Sequence, residues 1–151
     1  MKTLAHAIIA MTAENWARSK GGWNPYQWWL DNAETHEPRD GGRYKGEPKN
    51  CFSNAAINSI ACGLPYVDGY VHVHGVPLRH AWNLDEDGHP IEVTLPNMSH
   101  CHDWIGVKIP WEVVELVATH KGWTMGEGVI GTLCFLSPKE LAKVLKMLKE
   151  K

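Results

Sequence analysis

The residue types of a nucleophilic thiol site occur in this chain at Cys51, His80 and Glu92. A thiol becomes a nucleophile when it is held as thiolate, a state favoured by the unpaired N–H groups and macrodipole of a helix N-terminus and by a neighbouring imidazolium. The small and apolar run from Cys51 to Cys62 predicts a buried helix that begins at Cys51, with Asn50 as its N-cap and Gly63 as its stop. His80 opens a β-rich run and can sit beside that helix start. A carboxylate on the neighbouring strand would then orient the imidazole.

The hairpin register selects the carboxylate. If Glu86-Asp87-Gly88 is a three-residue loop with Gly88 in the left-handed conformation, Asp85 faces His89 and Trp82 faces Glu92. His80 then shares a face with Glu92 on the diagonal, about 7–8 Å away and within reach of a long side chain. Two- or four-residue loops put Glu92 on the other face. Asp85 is excluded in any regular register, because odd positions of this strand point away from the face of His80.

The surrounding segments supply the frame. Leu4, Ile8 and Met11 recur at helical spacing and predict a first helix ending near residues 20–22, with a second short helix after Pro25. The polar stretch 32–50 reads as a loop. After the cysteine-bearing helix, 69–75, 79–84 and 90–95 read as three antiparallel strands. Pro110 opens a helix, 129–136 is predicted as a further strand, and Ser137-Pro138-Lys139-Glu140 is a capping box before a closing helix with Leu141, Val144, Leu145 and Leu148 on its apolar face. This order gives an α+β fold.

Cys51 with its helix, the run Gly63-Leu64-Pro65-Tyr66-Val67-Asp68-Gly69-Tyr70, His80-Ala81-Trp82 and Glu92-Val93-Thr94 resemble the core of transglutaminase-like proteins within the papain-like cysteine-enzyme superfamily. Short phage and bacterial proteins of unassigned function share this core. The resemblance covers roughly residues 49–95 and departs from the family at Glu92, where aspartate is usual, and at Val93, where proline is common. It implies a papain-like core, a cysteine-bearing helix packed on a small antiparallel sheet with flanking helices. It also implies acyl transfer on an amide of a protein or peptide, by a peptidase, amidase or deamidase. Cys51 is then the nucleophile, His80 the proton carrier and Glu92 its orienting group. The backbone N–H of Cys51 meets the oxyanion, with Asn50 and Tyr44 as candidates for the second donor. Trp82 and His102 are substrate-contacting candidates. No cofactor is implied.

Composition bounds the alternatives. A chain of 151 residues with 44% hydrophobic and 21% charged residues is expected to form one domain. Its parts are a helical, Trp-rich 1–48, a catalytic 49–95, and a helical and strand-bearing 96–151. A net charge of −2 without a basic cluster argues against nucleic acid as partner. No apolar run reaches the roughly 18–20 residues of a membrane span, and the start lacks a cleavable-leader pattern, so a cytoplasmic protein is expected. The four cysteines read as reduced thiols, with Cys62 and Cys134 expected in the core. His72, His74 and the tract 100–103, expected to be a loop, match no metal-ligand spacing. The Trp-rich stretch 16–29 reads as a roof over the sheet. Two rivals to hydrolysis stand beside it: a transglutaminase proper, and a non-catalytic binding module such as a phage inhibitor of a host protein.

Overall fold

The structure, a computed structural model, describes residues 3–38, 50–91, 94, 100–119 and 128–149. The chain begins with α1 (Leu4–Ser19), whose Ala5, Ile9 and Ala13 recur every fourth position and are buried. Thr3 and His6 form its capping box, with the Thr3 amide donating to His6 Nδ1 at 3.1 Å. Helix α2 (Pro25–Asn32) starts on Asn24, whose Oδ1 accepts from the amides of Tyr26 and Gln27 while its Nδ2 donates to the Ala13 carbonyl at 2.8 Å. One asparagine thus caps the second helix and ties it to the first. Trp29 of α2 is 2% exposed and is the roof expected from the Trp-rich stretch.

The segment 32–50, expected to be a loop, contains β1 (Glu34–His36). Three residues show no period of their own, and pairing with a distant strand defines the element. Helix α3 (Cys51–Cys62) has the expected bounds, and Gly63 closes it at φ 67°. The Asn50 side chain makes no capping hydrogen bond; its carbonyl accepts the first helical bond from Asn54.

Strands β2 (Tyr66–Val73) and β3 (Val76–Leu84) form a hairpin through His74 and Gly75, at φ 50° and 80°. These positive values suit a two-residue turn that matches the strand twist. Strand β4 (Pro90–Ile91) pairs with Asn83 and Leu84 and is shorter than the expected 90–95, since Thr94 is outside it. The connecting loop has the expected three residues: the Asp85 amide donates to the His89 carbonyl at 2.9 Å, and Gly88 has φ 82°. Strand β5 (Cys101–Ile109) runs through the tract expected to be a loop. The sheet is antiparallel, in the order β1-β5-β2-β3-β4, so the fold is α+β.

Pro110 precedes α4 (Trp111–Ala118), where Val113, Val114 and Val117 are fully buried, each worth about 1.5–3 kcal/mol of burial free energy. The expected strand 129–136 is instead α5 (Gly128–Leu133) followed by a turn. Its first two free amides, Val129 and Ile130, donate to the Asp68 carboxylate, a tertiary partner that overrides the β propensity of the run. Helix α6 (Pro138–Lys149) follows the Ser137–Glu140 capping box, present in both directions, and buries Val144. Among the described residues no helix is long and apolar enough to cross a membrane.

Side chains alternate across the sheet and build two cores. Tyr66, Tyr70, Ala81, Ile105, Val107 and Ile109 face the helices and meet residues such as Phe52, Ala55 and Val113. Val67, Val71, Trp82, Leu84 and Trp104 form a second cluster on the other face, and every described member of it comes from a strand.

Candidate functional site

Cys51 is the first residue of α3, partly buried against the helix-side core. Phe52, Ala55 and Ala56 anchor this helix on the sheet. Asn83 of β3, fully buried, sends Nδ2 to the carbonyls of Ala55 at 2.9 Å and Pro65 at 3.2 Å. Asn54 Nδ2 donates to Thr94 Oγ1 at 2.9 Å, tying the helix start to the chain beyond β4. The Tyr66 phenol is held well above its ordinary range by burial first, then by the Asp68 charge, with Cys51 adding to the effect.

Ala81 and Asn83 face α3, so His80 and Trp82 between and beside them face the other way. His80 is 3% exposed; its ring stacks on Trp82 with centroids 6.0 Å apart and meets Trp104 edge-on at 5.8 Å. The structure therefore sets Cys51 and His80 in different layers of the fold. Trp82, 1% exposed, is packed into the second cluster against Trp104. His36 of β1 completes the group, its ring 6.0 Å from that of Trp82.

Glu92 and Tyr44 lie outside the described residues. The three-residue loop that the choice of Glu92 depends on is present. Asn50 is exposed at the start of α3. His102 sits on β5 opposite His72 of β2, their rings stacked at 5.6 Å, and its Nδ1 is 3.0 Å from Asp103 Oδ2. His74 and His100 form a second stacked pair at 4.2 Å. These four histidines cluster at the turn end of the β2–β3 hairpin. Among the described residues no group of three or more His, Cys, Asp or Glu is arranged to hold a metal ion. Cys62, expected in the core, is exposed at the last turn of α3; Cys134 is partly buried, 3.7 Å from the Tyr26 hydroxyl.

Sequence reasoning passed over Asp68 and Arg79. Asp68 is 2% exposed and collects three donors from two elements: Arg79 Nη2 of β3 at 3.1 Å on Oδ1, and the α5 amides of Val129 at 2.8 Å and Ile130 at 3.2 Å on Oδ2. The Tyr66 hydroxyl approaches Oδ2 at 3.5 Å. Arg79 lies over the Phe52 ring at 5.2 Å. Burial works against its charge, but Asp68 and the phenols of Tyr70 and Tyr66 outweigh this and raise its pKa. The readable signal is a single carboxylate and a single guanidinium on a face of β2 and β3 that carries no other Asp, Glu, Lys or Arg, because a buried carboxylate survives only when it is paired or hydrogen-bonded.

His36 has a pKa lowered by burial, with Lys108 lowering it further and Glu34, 3.9 Å from Nε2, pulling it up. Its Nδ1 is buried with no hydrogen-bond partner among the described residues. A depressed folded-state pKa means that the stabilising contribution of the neutral ring is complete above about pH 6.5, the unfolded value, and is lost as pH falls through the folded one. His36→Phe should therefore flatten the decline in the urea midpoint between about pH 6.5 and pH 5, relative to the wild type. Parallel curves would show that the His36 ring is protonated freely in the folded state.

No protein-family model matches the chain, and comparison with curated proteins and with solved structures found no match.

Proposed function

We propose that this protein is a cysteine-dependent acyl-transfer enzyme with a papain-like, transglutaminase-like core, acting through Cys51 on an amide of a protein or peptide. The observation that carries this reading is the place of Cys51 among the four thiols. It alone opens a helix, at the positive end of the α3 dipole, whereas Cys62 ends that helix, Cys101 starts β5 and Cys134 follows α5. The Cys51 sulfur attacks the carbonyl carbon, a thioester replaces the amide, and the amine leaves with the proton that the thiol gave up; water then releases the acid.

His80 is the proton carrier in this reading. Its imidazole hangs from the far face of β3, so it must leave the stack on Trp82 and pass the outer edge of β3. There, among the described residues, β4 pairs with Asn83 and Leu84, beyond the position of His80. The burial of His80 favours a second reading, a binding module on the same core in which His80 packs the Trp82–Trp104 cluster and the thiol does no chemistry.

Alkylation by iodoacetamide, followed by peptide mass for each cysteine, separates the two. For the enzyme, Cys51 should react at about pH 6 at least about tenfold faster than the more exposed Cys62, and should lose that lead in His80→Ala. His80→Phe, which keeps a ring on Trp82, replaces the alanine variant if that one unfolds. If Cys62 reacts first and His80 substitutions leave Cys51 unchanged, the enzymatic reading fails and the binding module stands.

A further inference from the structure

Strand β5 carries one residue too many opposite β2. Tyr70 pairs with Ile105 but His72 pairs with His102, so Asp103 and Trp104 together oppose Val71. Asp103 takes φ 48°, a left-handed value that a residue other than glycine holds only where its surroundings fix it. Such a bulge changes the face to which a side chain points. In a regular ladder His72 would oppose Asp103, and His102 would share the face of Trp104 and the second cluster. The extra residue turns His102 to the face that His72 occupies.

Asp103 also sets the tautomer of both rings. Its main-chain carbonyl lies 3.0 Å from His72 Nδ1, and its carboxylate Oδ2 lies 3.0 Å from His102 Nδ1. A carbonyl and a carboxylate only accept, so each neutral ring carries its proton on Nδ1 and turns a bare lone pair at Nε2 away from Asp103. A histidine whose one ring nitrogen donates to such an oxygen is oriented to ligate a metal through the other. His72 is 3% exposed, and its Nε2 is buried with no hydrogen-bond partner among the described residues, an unmet acceptor that a cation would satisfy. His102 is half-exposed and is the ring that can adjust.

From this geometry we propose that His72 and His102 bind one imidazole-seeking divalent metal ion such as Zn²⁺, each through Nε2, with Asp103 orienting both rings. The ring centroids are 5.6 Å apart. Zn–N bonds of about 2.0–2.1 Å set two imidazoles on one tetrahedral ion with centroids about 5 Å apart, so a small movement of His102 closes the site. Among the described residues no third His, Cys, Asp or Glu joins them as a ligand, and water fills the other positions. The site lies at the turn end of the β2–β3 hairpin and stands whether or not Cys51 reacts.

The test titrates Zn²⁺ into the full chain and follows the side-chain ¹⁵N resonances of the histidines by NMR, which separates this site from binding at the thiols. The Nε2 signals of His72 and His102 should shift together and saturate with a Kd of about 0.1 mM or tighter. Mg²⁺, which prefers oxygen ligands, should move neither at about 10 mM. His102→Ala should weaken binding at His72 at least about tenfold. Asp103→Gly, which keeps the main-chain carbonyl and accepts the positive φ but removes the carboxylate, should weaken it by about 10–100-fold. Undiminished Zn²⁺ binding at His72 in either variant, saturation of the neighbouring His74–His100 pair in place of His72 and His102, or no shift of the two Nε2 signals by about 1 mM Zn²⁺ would each overturn the proposal.

Discussion

Asp68→Ala is expected to lower the unfolding free energy by about 2–4 kcal/mol, chiefly the cost of leaving two buried main-chain donors without their acceptor, since the Arg79 side chain keeps 36% of its surface accessible to water. The carboxylate joins β2 to β3 through Arg79, and to α5 through the amides of Val129 and Ile130. Its removal takes the carboxylate from beside the guanidinium and leaves the Val129 and Ile130 amides without their acceptor at once. Domains of this kind have about 5–15 kcal/mol in all, so the variant should fold with a clearly lowered urea midpoint. Asp68→Leu combined with Arg79→Met removes both charges and should recover part of the loss through apolar packing in their place. Urea midpoints of the wild type, the single variant and the double variant measure this. A single-variant loss below about 1 kcal/mol would mean that water takes the place of the carboxylate at the Val129 and Ile130 amides, contrary to the burial of those residues.

Gly69→Ala carries the second large effect, about 3 kcal/mol or more, from overpacking rather than lost contact. Gly69 of β2 faces Gly106 of β5 and His80 of β3. A Cβ at Gly69 would press on the Ile105 carbonyl oxygen and stand 2.5 Å from Gly106 Cα, both main-chain atoms that cannot move without opening the β2–β5 ladder. Gly106→Ala should cost less. Its Cβ meets the Val67 side chain at 2.5 Å and Trp82 Cη2 at 3.1 Å, which can yield somewhat, although the Asp68 carbonyl oxygen at 2.9 Å cannot. The near-UV circular dichroism of Trp82 and Trp104 should collapse in the first variant and persist in the second. The reverse order would show that the indoles, rather than the backbone, set the limit on this face.

The elements that could be read from the sequence are those whose signals are local. Asn50 to Gly63 bounds α3, Ser137 to Glu140 opens α6, and Gly88 sets the loop before β4. The elements that were missed owe their form to distant partners. Strand β1 exists because β5 pairs with it, and α5 is helical where its apolar run suggested a strand because its first amides have Asp68 to bind. The candidate site divides in the same way. Alternation along β3 assigns His80 and Trp82 to one face and Ala81 and Asn83 to the other, but it carries no information on which face the cysteine-bearing helix covers. Packing decides that, and it sets α3 on the side of Ala81 and Asn83. Asp68 and Arg79 form a pair only because the hairpin register brings their positions close, with Asp68 opposite Ala81 and Arg79 opposite Tyr70.

The sheet order has a consequence for synthesis. Strand β1 leaves the ribosome about 70 residues ahead of β5, its strand partner among the described residues, which at about 5–20 residues per second is a wait of several seconds. Through that interval α1, α2 and β1 have no finished sheet to cover, while the β2–β3 hairpin can close as soon as it appears. The Trp-rich helices at the start of the chain are therefore the part of the nascent protein most in need of a chaperone, and the arrival of β5 is the event that relieves that need.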